Sequence, residues 1–137
     1  RNAGLDLPDP GPERTVAVVR LIVQHYTSDL FKAALHVWTA AASDPALRDR
    51  VLPLENHMSR EVLVIAAAAL GHDPGDVRVR RPLQATLDLA RGLGLADVLS
   101  DDSARREKVI RYWAETLDLV LAQVPQASAR GVAPAAF

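Results

Sequence analysis

Three observations on the 137-residue chain predict an all-α fold of about six helices. Apolar residues recur at three- and four-residue intervals through most of its length, no strand-type alternation of apolar and polar residues appears, and clusters of Gly, Pro, Ser and Asp fall between the periodic segments. The length fits one domain able to bury a sizeable core, since a chain near 150 residues removes roughly two-thirds of its unfolded surface from water.

The opening RNAGLDLPDPGPE is rich in Gly, Pro and Asp, so residues 1–12 read as a linker. With a start at Arg1 and not Met, this reading expects that an upstream domain has been removed. The domain proper is expected over residues 13–124. Val16, Val19, Ile22, Val23 and Tyr26 line one face of a first helix from Glu13 to Tyr26. Thr27-Ser28-Asp29 offers capping oxygens to a second helix over about 29–42, whose stripe includes Leu30, Phe31, Ala34, Leu35 and Trp38. At Ser43-Asp44-Pro45 this apolar helix stops and another begins. Proline disfavours helical angles in the residue before it but suits a first helical position, so Asp44 caps a new, short third helix and the chain changes direction. A fourth helix is expected from Leu52 to Leu70, closed by Gly71 and then Pro74.

The fifth helix, Arg78 to Leu99, carries Leu83, Leu87, Ala90 and Leu93 on one stripe, with Pro82 trimming its start and Gly92 and Gly94 weakening its end. Ser100-Asp101-Asp102-Ser103 supplies caps for a sixth, about Ala104 to Val124, and PQASARGVAPAAF, residues 125–137, reads as a flexible tail. The sixth helix has apolar residues over a face wider than the roughly 100° stripe of an ordinary surface helix. Either it is a central core helix, or it meets a second copy of the chain. In the second case the dimer interface draws on Leu83, Ala90 and Leu93 of the fifth helix and on Val109, Trp113, Leu117, Val120 and Leu121 of the sixth.

Composition excludes several classes of chemistry. Lys plus Arg numbers 16 against 17 for Asp plus Glu, so no global basic field drives binding to a phosphate backbone. The absence of cysteine removes disulfides, thiolate catalysis and cysteine zinc sites, and fits a reducing cytoplasm. The longest apolar run, Val62 to Leu70, falls far short of the roughly 20 residues that span a bilayer. No membrane partner is expected. His57 and Glu61, four apart, share a helical face, yet nothing nearby completes the three or four ligands of a zinc site, so they read as a hydrogen-bonded pair. No nucleophile elbow, phosphate loop or paired-carboxylate signature is present, and no cofactor or catalytic residue is assigned. The basic runs Arg78-Arg80-Arg81 and Arg105-Arg106-Lys108-Arg111 are interleaved with acids, as on a solvated helix face. A helix-turn-helix over 29–52 would lead into DNA with the acidic Asp44, which disfavours it.

A binding site is a better prospect. Phe31, Leu35 and Trp38 share one face of the second helix, and His57, Met58 and Glu61 share a side of the fourth. If those faces meet, they form an apolar wall with a few polar groups, the usual composition of a small-molecule pocket. If they do not, the aromatic and aliphatic members are plain core.

Three blocks, LFKAALHVWTAAASDPALRDRVLPLE, LQATLDLARGLGLADVL and SARREKVIRYWAETLDLVLAQV, resemble in order and spacing the C-terminal effector-binding and dimerisation domain of TetR-family (tetracycline-repressor-like) transcriptional regulators. The likeness spans residues 13–124. It implies a ligand cavity around the broken helix, with Thr86 and Leu87 of the fifth helix beside it, and a four-helix bundle made by the last two helices of each subunit in a homodimer. The polar members of the expected pocket suggest a small, mostly apolar effector with one or two hydrogen-bonding groups, anchored by His57 or Glu61. The resemblance also implies operator DNA contacted only through an N-terminal helix-turn-helix domain that these residues lack. Ala42 stands where relatives often carry an Arg before the Ser/Thr-Asp-Pro break, so any contact of that Arg is missing. The competing class is a helical interaction module or small bundle enzyme without a sensing role, which would be packed to crystal-like density.

Overall fold

The computed structural model describes residues 4–127, and the greater part of the expected tail lies outside them. The chain forms five helices: α1 (Pro12–Tyr26), α2 (Asp29–Ala42), α3 (Pro45–Ala69), α4 (Val77–Leu99) and α5 (Ser103–Leu121). No strand occurs among the described residues. No helix of the described chain is long and apolar enough to cross a membrane.

The helix boundaries follow local chemistry. Ser28 accepts a hydrogen bond from the Phe31 amide at 3.2 Å to start α2, and Asp44 Oδ1 accepts from the Leu47 amide at 3.1 Å to start α3 directly behind the Ser43 break. Gly71, at φ 75°, closes α3 in a paired arrangement: its own amide bonds Ala68 O at 3.1 Å and the His72 amide bonds Ala67 O at 2.9 Å. Only a residue free to adopt positive φ closes a helix this way at no cost.

One expectation is corrected: the short third helix and the long fourth are a single helix, with Pro53 in its interior. Proline there removes one backbone donor, which ordinarily breaks or kinks a helix. Here Pro53 and Asp49, whose carbonyl loses its partner, are both exposed, so water can satisfy the freed oxygen. The flanking Ala46, Leu47, Arg48, Leu52, Leu54 and Glu55 are all strong helix formers.

The core lies where α1 packs between α4 and α5, with Val19, Val23, Val79, Leu83, Leu87 and Leu117 at its centre. The second half of α3 joins it through Leu63, Ala66, Ala67 and Ala69. Polar links reinforce the contact: Thr15 donates to Asp118, and Arg20 pairs with Glu107, tying α1 to α5 at two levels. Asp97 of α4 gathers Lys32 of α2 at 3.2 Å and Arg106 of α5 at 2.9 Å. By contrast α2 buries only Phe31 and Ala41, and no residue of α3 before Leu63 is buried. These two segments stand away from the core as a separate wall. Beyond α5, the Ala127 amide bonds Gly71 O at 2.9 Å, so the chain just after α5 is held against the α3–α4 turn.

At Gly94 the backbone approach is close enough that a methyl group would overlap the Tyr26 carbonyl and press on the Phe31 ring. Gly94→Ala should lower unfolding free energy in urea by about 3 kcal/mol, the scale of core overpacking. An unchanged midpoint would show that the α1–α2 corner yields freely.

Candidate functional site

The gap between the standing wall and the core is a groove of about 640 Å³ bounded by α2, α3 and α4. Its apolar lining comes from Trp38, Ala41, Val51, Leu52 and Leu63, and its polar lining includes Glu55, Asn56, Ser59 and Gln84 with the guanidinium groups of Arg48, Arg60 and Arg91. Two other hollows differ in kind. One of about 690 Å³ between α1 and α3 is almost wholly aliphatic, with His25 its only polar side chain and Leu5 and Leu7 of the N-terminal segment in its wall. Another of about 460 Å³ lies at the start of α1, beside the buried His72. Only the α2–α3–α4 groove combines an aromatic wall with several convergent polar groups, the composition typical of small-molecule sites.

Arg91 organises its floor. Its Nη2 donates to Glu55 Oε1 and to Ser59 Oγ, each at 2.7 Å, and its Nη1 donates to Asp88 Oδ1 at 2.8 Å. Ser59 passes the bond on by donating to Glu55 at 3.2 Å. The guanidinium lies 5.6 Å from the centre of the Tyr26 ring, within cation–π range. Burial works against the charge on Arg91, but Tyr26, Glu55 and Asp88 outweigh it and its pKa is raised. Burial likewise pushes the Tyr26 hydroxyl up. From Tyr26 an edge-to-face ladder runs outward, first to Phe31 at 4.9 Å and then to Trp38 at 5.5 Å, and ends in the groove wall.

Of the expected pocket residues, Trp38 lines the groove, Phe31 and the half-buried Leu35 support it from the core side, and Leu87 is wholly buried. Thr86 is also wholly buried: its hydroxyl donates to Pro82 O at 2.8 Å and accepts from the Trp113 indole at 2.9 Å, so it is a packing contact between α4 and α5. His57, Met58 and Glu61 are exposed on a different side of α3, where His57 and Glu61 form an i,i+4 pair at 3.2 Å. They are not brought together with Trp38. The residues of α3 that line the groove are instead Arg48, Val51, Leu52, Glu55, Asn56, Ser59, Arg60 and Leu63, two neighbouring rows that run backward from the buried Leu63 at steps of three and four. Among the described residues no group of three or more His, Asp or Glu side chains is placed to hold a metal ion.

The interface residues are mostly committed elsewhere. Leu83, Ala90, Leu93, Leu117 and Leu121 are buried in the chain's own core, and Val109 and Trp113 are half-buried against it. Val120 is exposed, and with it Tyr112 and Leu119, which the sequence reading passed over.

Comparison with family models, curated proteins and solved structures finds no match to this chain.

Arg91→Met should destabilise the fold by about 2 kcal/mol, because Glu55 keeps its charge and loses its partner. Adding Glu55→Gln should recover about 1 kcal/mol, a coupling reduced by the pair's partial exposure. Urea unfolding of the single and double variants measures it, and strict additivity would contradict the network.

Proposed function

We propose that the chain is the effector-binding and dimerisation domain of a TetR-like transcriptional regulator, with operator recognition residing in a DNA-reading domain outside these residues. The observation that carries this reading is the groove beside the helix break. Between α2, the first half of α3 and the core lies an open groove of about 640 Å³ whose lining joins an aromatic side chain to several polar groups, the composition of a small-molecule site. The resemblance over residues 13–124 supports it independently, since its three blocks correspond to the broken helix and the two closing helices.

Effector binding in such a domain is a shift between conformers. The ligand favours the arrangement in which the DNA-reading heads are wrongly spaced, and its differential affinity sets how far operator binding falls. The second subunit would meet the outward face of α5, where Tyr112, Thr116, Leu119 and Val120 fall on one stripe, together with Leu95 and Leu99 near the end of α4. Leu99 is 85% exposed, Leu119 72% and Tyr112 71%, a concentration of large apolar side chains that association would remove from water.

A thermal-shift screen of compounds with apolar bodies tests the ligand half. A binder raises the melting temperature by mass action and changes indole emission, and Trp38→Phe abolishes the emission change because Trp113 is held on Thr86 between α4 and α5. A broad screen with no stabilising compound counts against the reading. Light scattering tests the other half: the chain should show twice its 14.8 kDa mass at micromolar concentration, and Leu119→Arg should give a monomer of unchanged helix content. A monomeric parent chain would remove the dimer.

A further inference from the structure

The charges around the groove are unequal, and the inequality identifies a class of ligand. This inference rests on reading the groove as a ligand site. Glu55 is the only carboxylate in the lining, against Arg48, Arg60 and Arg91. Glu55 is already paired with Arg91, which also meets the exposed Asp88 outside the lining. Arg48 and Arg60 have no carboxylate within ion-pair distance among the described residues. The two differ in how they are held. Arg48 Nη2 donates to the Ala42 carbonyl at 2.7 Å, where a cation at the C-terminus of α2 is favourable in its own right. Arg60 is turned back only through Nε, to Asn56 O at 3.2 Å, and its two Nη groups have no protein acceptor among the described residues.

We propose that the groove takes a monoanionic amphiphile, with a carboxylate at Arg60 and an apolar chain or ring lying along α3 toward Leu52, Val51 and Trp38. The planar guanidinium matches a carboxylate through paired N–H donors, and the Gln84 and Asn56 side chains line the same groove and add amide donors of the right type. From residue 60 to residue 51 a helix rises about 14 Å, enough for an extended chain of about ten carbons. Along that path the Arg91–Glu55–Ser59 network presents no unpaired charge, because each member bonds another. A neutral ligand would leave the Arg60 donors to water, and a cationic one would meet the unpaired Arg60 guanidinium. Excess positive charge along the groove both attracts the anion and repels the cation, more so at low ionic strength.

Titration calorimetry with decanoate, decan-1-ol and decylammonium, at equal concentration and low ionic strength, decides it. Decanoate should bind about tenfold more tightly than the alcohol, the difference made by a charge-assisted hydrogen bond, and the ammonium should bind most weakly. Arg60→Gln should bring decanoate down to the affinity of the alcohol and leave the alcohol unchanged, with circular dichroism confirming that this exposed position does not disturb the fold. The preference should also shrink as salt is raised. If the alcohol binds as tightly as the acid, or if Arg60→Gln leaves their ratio intact, the anion assignment is wrong while the ligand groove stands. If none of the three binds, the groove fails as a site for such amphiphiles and the ligand reading loses its support there.

Discussion

The geometry of the groove depends on one missing side chain. Because residue 94 is glycine, α4 passes close enough to the end of α1 for its backbone to sit against the Tyr26 carbonyl. That approach presses Phe31 edge-on against Tyr26 and, one step further, Trp38 against Phe31. It also brings Arg91, one turn earlier on α4, over the Tyr26 ring and into reach of Glu55 and Ser59 on α3. A single close contact therefore positions both the aromatic wall and the charged floor. The cost of a glycine within a helix, about 1 kcal/mol relative to alanine, is set against everything packed through it.

That role explains where the sequence was legible and where it was not. Helix positions came through well, since capping residues and apolar periodicity are local signals: Ser28, Asp44 and Gly71 all mark real boundaries. Gly94 was read by the same local logic as a weak point in a helix, whereas its function is a tertiary contact that no local pattern records. The start expected at Leu52 divided one helix into two, whereas α3 runs on through Pro53, because the cost of an interior proline is decided by whether the orphaned carbonyl reaches water.

For the site, Trp38 was legible from its place on the α2 stripe, but the groove side of α3 was not taken from periodicity. His57, Met58 and Glu61 drew attention by their chemistry, and they sit on a different side of the helix. Between Pro45 and Val62 this helix is polar enough that its own sequence does not fix its phase. The phase was nevertheless available from Leu63, Ala66 and Ala67 downstream, which extrapolate backward to Ser59, Glu55, Leu52 and Arg48. Arg91 was missed for a related reason. An arginine in an evenly charged chain looks like surface, and only the fold shows it half-buried against a tyrosine.

The near-balance of charge in the sequence also conceals a local imbalance that folding creates. Several acidic side chains are engaged in links between helices: Glu107 with Arg20, Asp97 with Lys32 and Arg106, and Glu55 with Arg91. Arg48 and Arg60 lie on the part of α3 that no buried residue anchors. The same lack of anchorage bears on conformational response. A wall held by caps, by one partly exposed ion-pair network and by few buried apolar contacts belongs to the low-stability end of a structure, where local rearrangement costs less than global unfolding. A ligand that bridges this wall to the core adds contacts in one arrangement and not in another, and that difference is the only source from which binding can shift a population. In the proposed sensor, the weakness of the first half of α3 and its exposed positive charge are thus complementary: the charge selects the ligand, and the loose packing lets its binding move the helix.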